Sequence, residues 1–123
     1  MTKQYDDRQV FTNGKVFVEG ELKNSKVIVE DGIVIDIVDS SFDTEGFTTI
    51  DLQGRYLLPG AIDVHVHCRA PAAPERGDFA TETRAAAAGG ITTMLEMPIS
   101  KPCVNSVAVF ENRKKLGQDN AYV

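Results

Sequence analysis

The stretch Leu57-Leu58-Pro59-Gly60-Ala61-Ile62-Asp63-Val64-His65-Val66-His67 separates two kinds of sequence. Pro59-Gly60 breaks the run of short strands before it, because proline donates no ladder hydrogen bond and glycine weakens a strand. From Ala61 to His67 a new strand pattern begins. Residues two apart on a strand project to the same side. Asp63, His65 and His67 therefore share one face, while Val64 and Val66 point the other way into packing.

Upstream, the chain reads as a compact series of short strands. Val16-Phe17-Val18 follows Asn13-Gly14, a turn pair that tolerates positive φ. Lys26-Val27-Ile28-Val29-Glu30 leads into Asp31-Gly32, and Ile33-Val34-Ile35-Asp36-Ile37-Val38 returns. β-Branched runs on both sides of Asp-Gly predict a hairpin. Asp39 to Gly46 reads as loop. Thr48 to Leu52 is a further strand ending at Gln53-Gly54, and Tyr56-Leu57-Leu58 runs into the break.

Downstream, the rhythm becomes strand, helix, strand, helix, strand. A loop rich in Pro and Ala spans Cys68 to Gly77. Asp78 caps a helix from Phe79 to about Ala88, which Gly89-Gly90 stops. Phe79, Ala86 and Ala87 fall on one face of it. Ile91 to Met97 is the next strand, halted by Pro98. Asn105 is placed to cap a second helix through about Leu116, with Val107 and Phe110 as a weak apolar face, and Ala121-Tyr122-Val123 starts a third strand.

This alternation is the repeating unit of a parallel α/β sheet. A closed (β/α)8 barrel takes roughly 250 residues. The predicted fold is therefore α/β, the start of a TIM-type barrel preceded by part of a β-rich domain, and the chain reads as a fragment. Residues 1–58 form the β-rich part and residues 59–123 the first β/α units of an incomplete barrel. The alternative, a complete small α+β domain, leaves unpaired parallel edges and makes a poor free-standing fold.

Composition excludes several classes of function. The 123 residues are 42% hydrophobic and 25% charged, without repeats or biased tracts, as in a globular domain. A net charge of −5 with scattered basic residues builds no stripe for a phosphate backbone, so no nucleic acid is expected. Arg113-Lys114-Lys115 reads as a solvated helix face. Apolar runs fall far short of the roughly 20 residues that span a bilayer, so no membrane association is expected. Met1 to Asp7 lacks the apolar stretch of a secretory signal. Cys68 and Cys103 are too few for a disulfide framework, and a cytoplasmic protein with free thiols is expected.

The chemistry concentrates on the Asp63–His67 face. Two imidazoles one pleat apart reach a common divalent ion, and neutral imidazole is a good ligand for zinc and related metals. His65 and His67 are the only histidines of the chain. A bare His-x-His also arises by chance. Its position strengthens the metal reading, because barrel enzymes assemble their sites at the C-terminal ends of strands. Asp63 shares the face and has two readings, orienting one ring or bonding nearby backbone. Cys68 has the opposite parity and is not counted as a ligand, and Cys103 reads as an unpaired loop thiol.

The run Leu57 to His67 resembles the strand that opens the barrel in the amidohydrolase superfamily. Asp78-Phe79, with Thr81-Glu82-Thr83-Arg84-Ala85-Ala86-Ala87-Ala88-Gly89-Gly90-Ile91-Thr92-Thr93-Met94, resembles its cyclic-amidase branch. That branch holds allantoinases, hydantoinases and dihydropyrimidinases, and dihydroorotases. The resemblance runs along the whole chain and is most specific from Leu57 to Pro98. It implies that the earlier strands are the N-terminal part of a small composite β-sandwich.

It also implies a hydrolase with two divalent metal ions, zinc foremost, in which His65 and His67 are the first two ligands of the more buried metal. The metals activate water and polarise the scissile amide carbonyl. An aspartate then passes the proton to the leaving nitrogen. The family's bridging carboxylated lysine, two further histidines and that aspartate have no counterpart here, and Lys101, Lys114 and Lys115 come too early to match the lysine. No catalytic residue is thus expected in this chain, which by itself should bind metal weakly and hydrolyse nothing. Family members usually form dimers or tetramers, so a homo-oligomer is implied, although no residue argues a particular state.

Two loops bear on the substrate, a small cyclic amide or ureide. Dihydroorotases typically carry an arginine after the His-x-His strand and an asparagine after Met-Pro, which together bind a carboxylate. Arg69 matches the first, and is the expected substrate-binding residue or else a loop residue facing water. Ile99 departs from the second, and losing one donor leaves a buried carboxylate under-satisfied. Met94 to Ser100 is similar to the allantoinase pattern, with Ser100 in place of its asparagine. An allantoinase- or hydantoinase-like enzyme is therefore expected, with dihydroorotase the alternative. A third reading, from another class, is a non-catalytic amidohydrolase-like structural protein or an inactive fragment. The intact His65 and His67 count against the structural protein.

Overall fold

The computed structural model describes residues 8–99 and 101–123. The stretch Met1 to Asp7 and the position of Ser100 lie outside the described residues. Between Pro59 and Gly60 the chain divides into two compact units.

The first unit is all β. Its strands are β1 (Gln9–Thr12), β2 (Lys15–Val18), β3 (Glu21–Lys23), β4 (Ser25–Glu30), β5 (Ile33–Asp39), β6 (Thr48–Asp51) and β7 (Tyr56–Leu57). They form one sheet of order β5-β4-β1-β6 and another of order β3-β2-β7. The β4–β5 hairpin turns at Asp31 and Gly32, whose φ values of 51° and 77° are those of a type I′ turn. Buried Val10, Val16, Val27 and Ile28 come from both sheets.

Two of these strands, β1 and β3, are absent from the sequence reading. β1 is paired antiparallel to β4 and parallel to β6, both distant in the chain. β3 is a three-residue strand, Glu-Leu-Lys, returning from a turn at Glu19 (φ 53°) and Gly20 (φ 83°). Its turn begins with a glutamate rather than the Asn or Asp that usually signals positive φ.

The second unit is a β-α-β-α run: β8 (Ala61–Val66), α1 (Phe79–Ala88), β9 (Ile91–Glu96) and α2 (Val107–Asn120), with a 3-10 turn at Pro74–Arg76. β8 and β9 pair in parallel. The structure is thus mixed α and β with sheets. Where β8 begins, a Cβ on Gly60 would overlap the Thr92 side chain, so only glycine fits this approach to β9. Asp78 caps α1 by accepting from the Thr81 amide at 2.8 Å, and the Thr81 hydroxyl reciprocates at the Asp78 amide. Among the described residues no helix is long and apolar enough to cross a membrane.

Several local expectations are corrected. The buried stripe of α1 is Phe79 and Thr83, with Ala86 half-buried and Ala87 exposed. Thr83 is tolerated there because its hydroxyl donates to the Phe79 carbonyl and accepts from the Tyr122 amide. Ser106, not Asn105, caps α2, and the helix continues to Asn120. Its buried residue is Arg113, whereas Val107 and Phe110 are exposed. Ala121 to Val123 form no strand: Ala121 has extended backbone, but the Tyr122 amide bonds a side-chain hydroxyl instead of a neighbouring strand. Val64 is 63% exposed rather than packed, since the helices of this unit rest on β9 and on each other.

Candidate metal centre

The candidate site lies where β8 ends. Val66 is its last residue, and the Val66 carbonyl accepts from the Met97 amide at 2.8 Å, continuing the parallel pairing with β9. His67, the next residue, turns its ring onto the same neighbour. Its Nδ1 lies 2.6 Å from the Met97 carbonyl oxygen. A carbonyl oxygen only accepts, so Nδ1 carries the proton and the lone pair of the neutral ring sits on Nε2. Metal-ligating histidines are held in this way, with one nitrogen donating to a backbone carbonyl while the other faces the ion.

His65 stands beside it. The two ring centroids are 5.2 Å apart and the planes are almost perpendicular, at 88°. His65 is exposed and His67 half-buried. Of the two roles open to Asp63, the structure shows the backbone one: its Oδ1 accepts from the His65 amide at 3.0 Å. That bond pins the backbone leading into His65. Among the described residues no group of three or more His, Cys, Asp or Glu side chains could hold a metal ion. Two adjacent imidazoles, one of them with its tautomer set, fit part of one metal's coordination shell.

Cys68 follows His67 but is buried, in a small apolar cluster with Ala70 and Phe79 against which Leu116 packs. Burial first, and then the negative charge of Glu96, push its thiol up to about 11. This sulfur is inert packing rather than a nucleophile. Cys103 is exposed.

Arg69 is half-buried in the loop after β8. Its amide donates to the Gly77 carbonyl at 2.8 Å and its carbonyl accepts from Ala73 at 3.0 Å, so the loop closes on itself around this residue. Ile99 is 53% exposed. On α2, Lys114 pairs with Glu111 and Lys115 with Asp119, both within the helix.

Sequence reasoning gave Glu96 no role and read Arg113 as part of a solvated helix face, whereas the structure buries it. Arg113 sits on the inward face of α2 and forms a bidentate pair with Glu96, the last residue of β9. Spacing held a signal: Arg113, Leu116 and Gly117 recur at i, i+3 and i+4, the period of a packed stripe.

Known proteins resemble this chain over most of its length. The dihydro-orotase-like family profile matches residues 54–116. A dihydroorotase of Staphylococcus aureus (strain MRSA252) is 37% identical over 115 residues, covering 94% of this chain and 27% of that protein. A dihydroorotase of Listeria monocytogenes serotype 4a (strain HCC23) is 41% identical, covering 93% and 27%. Among solved structures, an L-hydantoinase (dihydropyrimidinase) from Arthrobacter aurescens superposes with a TM-score of 0.79 at 33% identity, over 89% of this chain and 24% of that one. A D-hydantoinase from Bacillus sp. AR9 gives 0.71 at 27% identity, over 88% and 24%. The chain therefore spans about a quarter of the length of these relatives. Matched over half its length by the profile, the chain belongs to the dihydro-orotase-like family of cyclic amidohydrolases.

Proposed function

We propose that this chain is the N-terminal part of a metal-dependent hydrolase of cyclic amide C–N bonds, allantoinase- or hydantoinase-like in its substrate ring. The observation that carries this reading is the His67 ring, tied through Nδ1 to Met97 and set beside His65 at the end of a parallel strand. Residues 1–58 then belong to a composite β-sandwich and residues 59–123 open a (β/α)8 barrel. The exposed Ile62 and Val64 of β8 support the barrel, because parallel strands are normally buried on both faces.

His65 and His67 would hold one of two divalent ions, zinc in our reading. Such ions, when bound, lower the pKa of water and polarise an amide carbonyl. The chain's own residues do the rest of the positioning. His67 donates from Nδ1 to Met97 and turns Nε2 the other way, Asp63 holds the His65 amide, and Arg69 offers a guanidinium to an oxygen of the substrate. The bridging lysine, two further histidines and the proton-shuttling aspartate are assigned to the rest of a protein the size of its relatives.

Dihydroorotase activity is the second reading. Arg69 and the names of the two bacterial relatives favour it. Ile99 favours the first, since its exposed apolar side chain stands where a carboxylate donor is wanted. The test is turnover by the full-length, zinc-loaded protein of hydantoin, allantoin and dihydroorotate. Ring opening of an uncharged ureide, lost on chelation and restored by zinc, is the expected result. Dihydroorotate as the sole substrate moves the assignment to the second reading, and no turnover of any ring rejects the hydrolase.

A further inference from the structure

We infer that Arg113 is a positioning residue of the candidate site, holding the loop that carries Arg69 and the strand end that anchors His67. Its role towards substrate rests on the hydrolase reading above, whereas its clamp rests on geometry alone.

The guanidinium comes from the middle of α2 and is 8% exposed. Nε donates to Glu96 Oε2 at 3.0 Å and a terminal nitrogen to Glu96 Oε1 at 2.5 Å, the planar fork that only arginine makes. The same group also donates to the Cys68 and Ala70 carbonyls. Those two residues flank Arg69. Phe79 of α1 supports the group from below, its ring centroid 5.3 Å from the guanidinium carbon. Glu96 in turn precedes Met97, whose carbonyl accepts the hydrogen bond from His67 Nδ1. One side chain therefore ties α2 to both ends of the site.

A mere stabilising ion pair would need only Glu96, and buried pairs are weak contributors to stability in any case. The carbonyl bonds on either side of Arg69 are what set this guanidinium apart. They fix the Cys68–Arg69 and Ala70–Pro71 peptide planes, which bracket residue 69, and with them restrict the direction in which its side chain leaves the backbone. Lysine cannot reproduce this, because a point charge has no fork to share among four acceptor atoms.

The test compares Arg113→Lys with the unaltered full-length protein, using two independent readouts. The first is amide hydrogen exchange across residues 60–123. We expect about tenfold faster exchange confined to residues 68–77, with α1 and β9 unchanged. Unchanged exchange, or acceleration spread evenly over the unit, overturns the clamp. The second is steady-state kinetics on the cyclic amide that the protein opens. KM should rise about tenfold with kcat altered far less, and adding Arg69→Met should raise KM no further. Additive effects of the two substitutions overturn positioning through Arg69. Glu96→Gln turns an amide donor towards the guanidinium, which breaks the fork and draws the group away from the Cys68 and Ala70 carbonyls; it should give the same pattern, so it carries the test if Arg113→Lys does not fold. A wild-type protein without turnover rejects the hydrolase reading, while hydrogen exchange still decides the clamp.

Discussion

His67 Nδ1 and the Met97 carbonyl oxygen lie 2.6 Å apart, joining the end of one parallel strand to the residue just past its neighbour. This bond does for the imidazole what the strand ladder does for the backbone. It selects the tautomer protonated at Nδ1, restrains the ring and leaves Nε2 as the nitrogen that faces away from Met97. The His65 amide is held by Asp63, while its exposed ring stands edge-on to that of His67.

The close approach at the head of β8 should be intolerant of any side chain. A methyl group on Gly60 would overlap Thr92, so Gly60→Ala should destabilise the protein by about 1–3 kcal/mol, the usual consequence of overpacking. The denaturation midpoint measures this, and an unchanged midpoint would show that β8 and β9 part without strain.

Helix α1 carries a pH dependence. The Thr81 backbone amide, with its hydroxyl second, holds the Asp78 carboxyl below its ordinary value of 3.8. A group whose folded pKa is depressed stabilises fully above the unfolded value and stops doing so as pH falls through the folded one. Asp78→Ala should thus lower the melting temperature at pH 7, with the gap to wild type closing as the solution is acidified below pH 3.8. A gap that stays constant over that range would mean that the cap acts without its charge.

The two thiols should differ sharply in reactivity. Cys68 is buried with its thiol pushed up to about 11, whereas Cys103 is exposed. Iodoacetamide at pH 8 should modify Cys103 alone in the folded protein, as read by peptide mass spectrometry. Labelling of Cys68 at a comparable rate would place it outside the apolar cluster.

Much of the local structure was legible because its causes are local. Asp31-Gly32 marks the β4–β5 hairpin since both residues take positive φ, and Asp78 marks the start of α1 since its carboxylate meets an amide three residues on. The shared face of Asp63, His65 and His67 follows from the period of a strand. What stayed hidden depends on distant partners. β1 owes its pairing to β4 and β6, and no feature of Gln9–Thr12 announces it. Arg113 reads as solvated beside Lys114 and Lys115 until Glu96 and the Cys68 and Ala70 carbonyls, 17 to 45 residues away, enclose it. The end of α2 was misplaced for the same reason: Tyr122, read as strand, is taken up by Thr83.

The most direct test of the account is the metal content of the full-length protein and of its His65→Ala and His67→Ala variants, measured by elemental analysis after dialysis. The wild type should carry two divalent ions per chain. Each variant should lose one ion, with affinity at that site reduced about 100-fold or more and the circular dichroism spectrum unchanged. Full metal occupancy in both variants, or a metal-free wild type that still opens cyclic amides, would contradict it.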